Sequence, residues 1–241
     1  MATVLTDARV LLNGADLSGA ANKVEVTPSF AEEDASTFNS NGWKELAAGQ
    51  ASHEWAVEGL WDAGSYAAPD DRLWADLGLV AAWTATAAAA EGSVAYLGNV
   101  LDAQAKLGGE VGKLMPFTAK GVGSGRVGRG LLLAGAGTAR TVTGNGSPFQ
   151  VGAVASGQTL LAALHVCSVA GTVTPTITVK LQSSPTSGGA YVDRVTFTAA
   201  TAVGSQLATL AGPVTDPWWR AAWTITGSTP SFLVAVAAGL D

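Results

Sequence analysis

The sequence predicts an all-β protein with one short helix, arranged as a β-sandwich or barrel over residues 1–140 and a second β-sandwich, or jelly roll, over 141–241. Three observations carry that prediction. Many short segments alternate apolar and polar residues with a period of two, as strands do when one face meets a core and the other meets water. Clusters of Gly, Ser, Thr and Pro, such as SSPTSGGA and TGSTP, punctuate the second part about every ten residues. Helical periodicity is confined to one segment. At 241 residues the chain can bury a sizeable core without disulfide or metal staples.

In chain order, KVEV places Val24 and Val26 inward and Lys23 and Glu25 outward. In SHEWAVEGLW, His53, Trp55, Val57 and Trp61 share one face; Ser52, Glu54, Ala56 and Glu58 share the other. The helix is PDDRLWADLG, residues 69–78: Pro69 and two acids open it, Gly78 stops it, and Leu73, Trp74 and Leu77 form its apolar face. The most apolar window, LGLVAAWTATAAAA, is shorter than the ~18 residues a membrane span needs. RVGRGLLLA reads as a strand entered through a glycine-rich turn, and TARTVTGNGSP, residues 138–148, as the link between the two parts. In the second part, TITVKLQ turns Ile177, Val179 and Leu181 inward, DRVTFT turns Val195 and Phe197, and WWRAAWTIT turns Trp219, Trp223 and Ile225, leaving Trp218 outward.

Charge narrows the function. Residues 1–140 hold ten Lys/Arg against sixteen Asp/Glu, while 141–241 hold three of each, so the first part carries the whole net charge of −6. An acidic surface offers few of the basic contacts on which binding to a phosphate backbone depends. The N-terminus has no basic segment followed by an apolar one, so no secretory leader is expected. A single cysteine, Cys167, makes no intrachain disulfide and reads as a small buried hydrophobe.

No motif supports catalysis, a cofactor or a metal. GVGSGRVG spells GxGxxG at Gly123, Gly125 and Gly128, the pattern of a dinucleotide loop. The chemistry of that loop needs a helix N-terminus behind it and an acid about 20 residues on. Here five glycines fall between 130 and 146, and no acid occurs between Glu110 and Asp193. His53-Glu54 lacks a second histidine at helical spacing. His165 and Cys167 share a strand face about 7 Å apart, too far for a nucleophile and its base. AEED, residues 31–34, has neither the spacing nor the turn glycine of a calcium loop and reads as a solvated acidic loop. Eight tryptophans, mostly on apolar faces, read chiefly as core; the exposed minority keeps a carbohydrate-binding or adhesin module as an alternative.

The order ARVLLNGADLSGAANKVEV, an acidic segment, STFNSNGWKELAAG and SHEWAVEGLWDAG over residues 3–62 resembles the major tail tube proteins of long-tailed bacteriophages. The likeness continues at VGKLMPFTA, GRVGRGLLL, LLAALHV, ITVKLQSS, RVTFT and WWRAAWTITGSTPSFLVAVAAGL. The resemblance implies a structural virion protein without catalysis or cofactors, assembled in the bacterial host cytoplasm. Its partners would be its own copies in stacked rings of six chains, or of three if each chain supplies two modules, together with tape measure, tail terminator and distal tail proteins. DNA would pass through the lumen without specific binding. About a hundred residues beyond one sandwich would decorate the tube or join its wall.

On that reading the loop holding Thr37, Phe38, Asn41, Gly42, Trp43 and Lys44 is the expected subunit contact, because Phe38 and Trp43 in a polar loop are otherwise exposed apolar surface. Arg126 and Arg129, basic in an acidic half, are expected to pair with a neighbour's carboxylates. Glu25, Glu54 and Glu58, on polar strand faces, are the expected lumen residues, where carboxylates would keep DNA from adhering.

Overall fold

The computed structural model describes residues 5–241; Met1–Val4, the start of the stretch expected to hold no leader, lie outside them. The fold is all-β with one short α-helix, as the alternation predicts. Asn13 and Gly14, both at positive φ, make the tight turn between β1 (Arg9–Leu12) and β2 (Ala15–Asp16). There follow β3 (Ala21–Asp34), β4 (Leu46–Leu60), helix α1 (Pro69–Asp76), β5 (Val80–Thr86), β6 (Val94–Leu107) and β7 (Pro116–Ala134). The second part contributes β8 (Gly144–Asn145), β9 (Phe149–Gln150), β10 (Thr159–Ser184), β11 (Val192–Thr196), β12 (Gly204–Ala211) and β13 (Trp218–Leu240).

In the first part the antiparallel order β3-β4-β7-β6-β5-β1-β2 curls around one core. Trp55 and Val57 of β4, Trp83 of β5, Val100 of β6, Phe117 of β7, Val10 and Leu12 of β1 and Leu73 of α1 all enter it. In the second part β10 and β13 pair along most of their length, and both bend where Gly171, Val173 and Thr174 face Gly227 and Thr229 at positive φ. The bend brings Leu160–Val166 and Ile177–Leu181 of the same strand into one core with Trp219, Trp223 and Phe232, a sandwich made by folding long strands over.

Strand β7 joins the two parts. Residues 116–122 pair with β4, and residues 129–134 pair with β13. The glycines of the GxGxxG spelling lie at this handover. A Cβ on Gly123 would stand 2.3 Å from Nδ1 of the buried His53 ring, and Gly125 has φ +105°. Just beyond, a Cβ on Gly130 would stand 2.0 Å from the Ala238 carbonyl, so the sheet curls here only because side chains are missing. The curl lays Leu161 and Ala163 of β10 against Ala95 and Leu97 of β6. His165 fastens the same junction: its Nδ1 accepts from the Gly14 N–H at 3.3 Å, leaving Nε2 to donate to Thr84 Oγ1 at 3.0 Å.

Four local expectations need correction. Helix α1 buries Pro69, Arg72, Leu73 and Asp76, while Trp74 and Leu77 face solvent. The apolar period misleads because the Arg72–Asp76 ion pair, with the guanidinium 4.6 Å above the Tyr66 ring, makes two charged side chains the inward pair. Residues 31–34 are the end of β3 rather than a loop. Trp61 lies past the end of β4 and is exposed. The link at 138–148 is stitched to β13 by an Arg140–Phe232 bridge and by β8.

Candidate assembly surface

The surface is built from the outer half of the β3–β4 hairpin. These strands pair with each other from Ala21–Gly59 to Asp34–Leu46, but β7 accompanies β4 only as far as Glu54. Beyond that point the hairpin is a two-stranded arm. Residues 27–48 are all exposed except Ser40. A two-stranded ribbon bare on both faces is marginal in water by itself.

The arm tip is nonetheless ordered. Phe38–Ser40 form a turn of 3₁₀-helix capped reciprocally: Thr37 Oγ1 accepts from the Asn39 N–H at 3.3 Å, and Ser40 Oγ accepts from the Thr37 N–H at 2.9 Å. Asn41 and Gly42 turn the chain at positive φ, and the Glu45 N–H donates to Ser36 Oγ at 2.9 Å. The Ser36 hydroxyl and then the Ser36 N–H, at 2.9 Å, hold the Asp34 carboxyl below its usual range. This frame presents Phe38 at 107% exposure and Trp43 at 80%, with Lys44 between Trp43 and Glu45. Thr37, Phe38, Asn41, Gly42, Trp43 and Lys44 therefore share one place. Composition did not reveal the arm itself, nor its exposed Phe30 and Leu46, because a strand bare on both faces has no alternation to read.

At the arm's base, a groove of about 1090 Å³ opens between its inner face and the β7 handover. Arg126 lies here, paired within the chain to the Asp241 carboxylate. Arg129 is exposed and has no ion pair among the described residues. The sequence could not foresee Arg126's partner, 115 residues away.

Glu25, Glu54 and Glu58 share the outward face of β3 and β4, since Glu25 pairs with Ala56, Thr27 with Glu54 and Lys23 with Glu58. That face is mixed in charge. Lys23 Nζ reaches Glu25 at 3.1 Å and Glu58 at 3.2 Å, contacts that raise the lysine pKa, and Lys120 of β7 lies opposite Ala56. The second sandwich covers the outer side of β6 at Ala95 and Leu97, leaving the β3–β4–β7 side free.

Of the remaining polar candidates, burial lowers the His165 pKa to about 3 and pushes the Cys167 thiol up to about 12. Both therefore stay neutral at physiological pH, with His165 already holding two partners. Among the described residues no three of His, Cys, Asp and Glu gather as metal ligands, and no helix is long and apolar enough to cross a membrane. Trp55, Trp83, Trp219 and Trp223 are buried, Trp218 is half-buried, and Trp43, Trp61 and Trp74 are exposed.

No protein family and no curated protein matches this chain. Among solved structures it is similar to a chain from the tail of an empty gene transfer agent particle, refined with C6 symmetry. That likeness has 15% identity and a TM-score of 0.40 over 49% of this chain and 92% of that one. A chain of the six-fold symmetrised anti-feeding prophage baseplate gives 14% identity and 0.39 over 53% and 96%. The Dit protein of phage SPP1, described as a paradigm of the hub adsorption apparatus in phages infecting Gram-positive bacteria, gives 12% and 0.35 over 97% and 99%.

Proposed function

We propose that this chain is a structural subunit of a phage tail that polymerises as stacked rings into the tail tube, a conduit for DNA without catalysis of its own. The observation that supports this reading most is the arm: a preordered ribbon, bare on both faces, ending in Phe38 and Trp43. Its stability and its exposed aromatic area both call for a partner. In the ring, the free β3–β4–β7 side with Glu25, Glu54 and Glu58 lines the lumen. Lys23 is already held there by two carboxylates and offers DNA phosphates little purchase. The second sandwich, seated on β6, stands outside that lining as a decoration.

Negative-stain microscopy of the purified protein tests this directly. Stacked hollow rings or tubes are expected from the wild type. A single Trp43→Ala change is expected to reduce assembly strongly while leaving the monomer folded. A chain that stays monomeric at every concentration and is retained on an oligosaccharide matrix overturns the reading in favour of a sugar-binding module.

A further inference from the structure

We propose that the groove at the arm's base is the seat for the arm tip of a second copy of this chain, so that chains join head to tail. This rests on reading the chain as a self-assembling subunit and adds where the arm docks.

The groove is the place where the first core runs open. On β4 and β3 the inward row Trp55, His53 and Ala51 faces Val26, Pro28 and Phe30. Trp55 and His53 are covered, but Phe30 and Ala51 continue the row with nothing over them, because β7 has turned away to meet β13. Val127, Gly123 and Gly125 form the opposite wall, and Arg126 lies beside them.

Three features select a second copy as occupant. The first is reach. Four residue steps along β3 separate Phe30 from Asp34, about 14 Å at roughly 3.4 Å per residue, and the tip lies beyond that. The groove includes the arm's own base, so the tip of the same chain points away from it. The second is shape and chemistry: the tip offers two aromatic rings, each able to bury about 150–250 Å², and the groove offers an open apolar row. The third is charge. The arm's outer end carries Glu32, Glu33, Asp34 and Glu45 against Lys44. On the handover, Arg126 lines the groove paired with Asp241, which lines it too, so the cation left for an acidic arm is Arg129, three residues further along β7 and without an ion pair among the described residues. Because tip and groove are different patches, each chain gives one contact and receives another, and the association propagates until a ring closes.

A complementation experiment tests the assignment. One variant, Phe38→Ser with Trp43→Ser, blunts the tip and keeps the groove; a second, Ala51→Trp, fills the groove and keeps the tip. Near-ultraviolet circular dichroism establishes that each is folded. In sedimentation velocity, each alone is expected to lose every species above monomer, and a 1:1 mixture is expected to form dimers that do not extend. If either variant alone still polymerises, or the mixture stays monomeric while wild type forms rings, the groove is not the seat and the tube reading stands. If wild type itself never assembles, the tube reading falls and takes this assignment with it.

Discussion

Asp102, on β6, is 1% exposed, and no side chain donates a hydrogen bond to its carboxylate. Burial and the charge of Asp76 raise its pKa to about 6, against partial offsets from Arg72 and the Gln104 backbone N–H. In the unfolded chain it titrates near 3.8, so between pH 4 and 6 the native state holds the extra proton, and stability falls as pH rises through that window. His165 works the other way. Its pKa drops from 6.5 to about 3 on folding, so its contribution is complete above pH 6.5 and is lost as pH falls toward 3. Asp102→Asn is therefore expected to stabilise the protein at pH 8, by up to about 3 kcal/mol at ~1.4 kcal/mol for each tenfold change in proton affinity. The gain over wild type should shrink toward pH 4. Thermal melts of the pair across that range check it, and a gain independent of pH would show that the buried charge is not its source.

At the scale of elements, β7 gives a sharper test of why its glycines are there. Gly123→Ala drives a methyl into the His53 ring, which is packed 5.9 Å from Trp83, and should cost about 1–3 kcal/mol in denaturant melts. Removing the ring by His53→Ala should relieve that clash, so the double variant is expected to be less destabilised than the two single costs combined; strict additivity would mean the pair does not interact. This handover also shows what a sequence can display. Alternation at His53, Trp55 and Val57, or at Ile177, Val179 and Leu181, is legible because a one-residue slip would turn every apolar side chain into water. The handover is not, since glycine records only an absence, and what fills the space is a ring 70 residues earlier or a backbone about 110 residues later. The same limit hid the inward face of α1, where pairing makes Arg72 and Asp76 buriable. In the candidate site, Phe38 and Trp43 were legible as aromatics in a polar loop; the arm that holds them out was not.

For the whole molecule, the uneven charge sets how assembly should respond to salt. Each chain carries −6, all of it in the part that bears the arm and the proposed lumen, so gathering several copies brings like charges together. At about 10 mM salt the Debye length is roughly 30 Å and that repulsion acts across a subunit; at about 150 mM it is roughly 8 Å and only near neighbours are felt. The critical concentration for assembly is therefore expected to fall as salt rises over this range. Arg129 works against the repulsion, being an exposed cation without an ion pair among the described residues, three residues along β7 from Arg126 of the groove proposed to receive an acidic arm. Arg129→Glu adds two negative charges per chain at that place, so it should raise the critical concentration most at low salt and steepen its salt dependence. Light scattering at several ionic strengths distinguishes the outcomes. Parallel curves for wild type and Arg129→Glu would remove Arg129 from the interface, and assembly that weakens with salt would mean that local ion pairs, rather than net charge, govern how these chains meet.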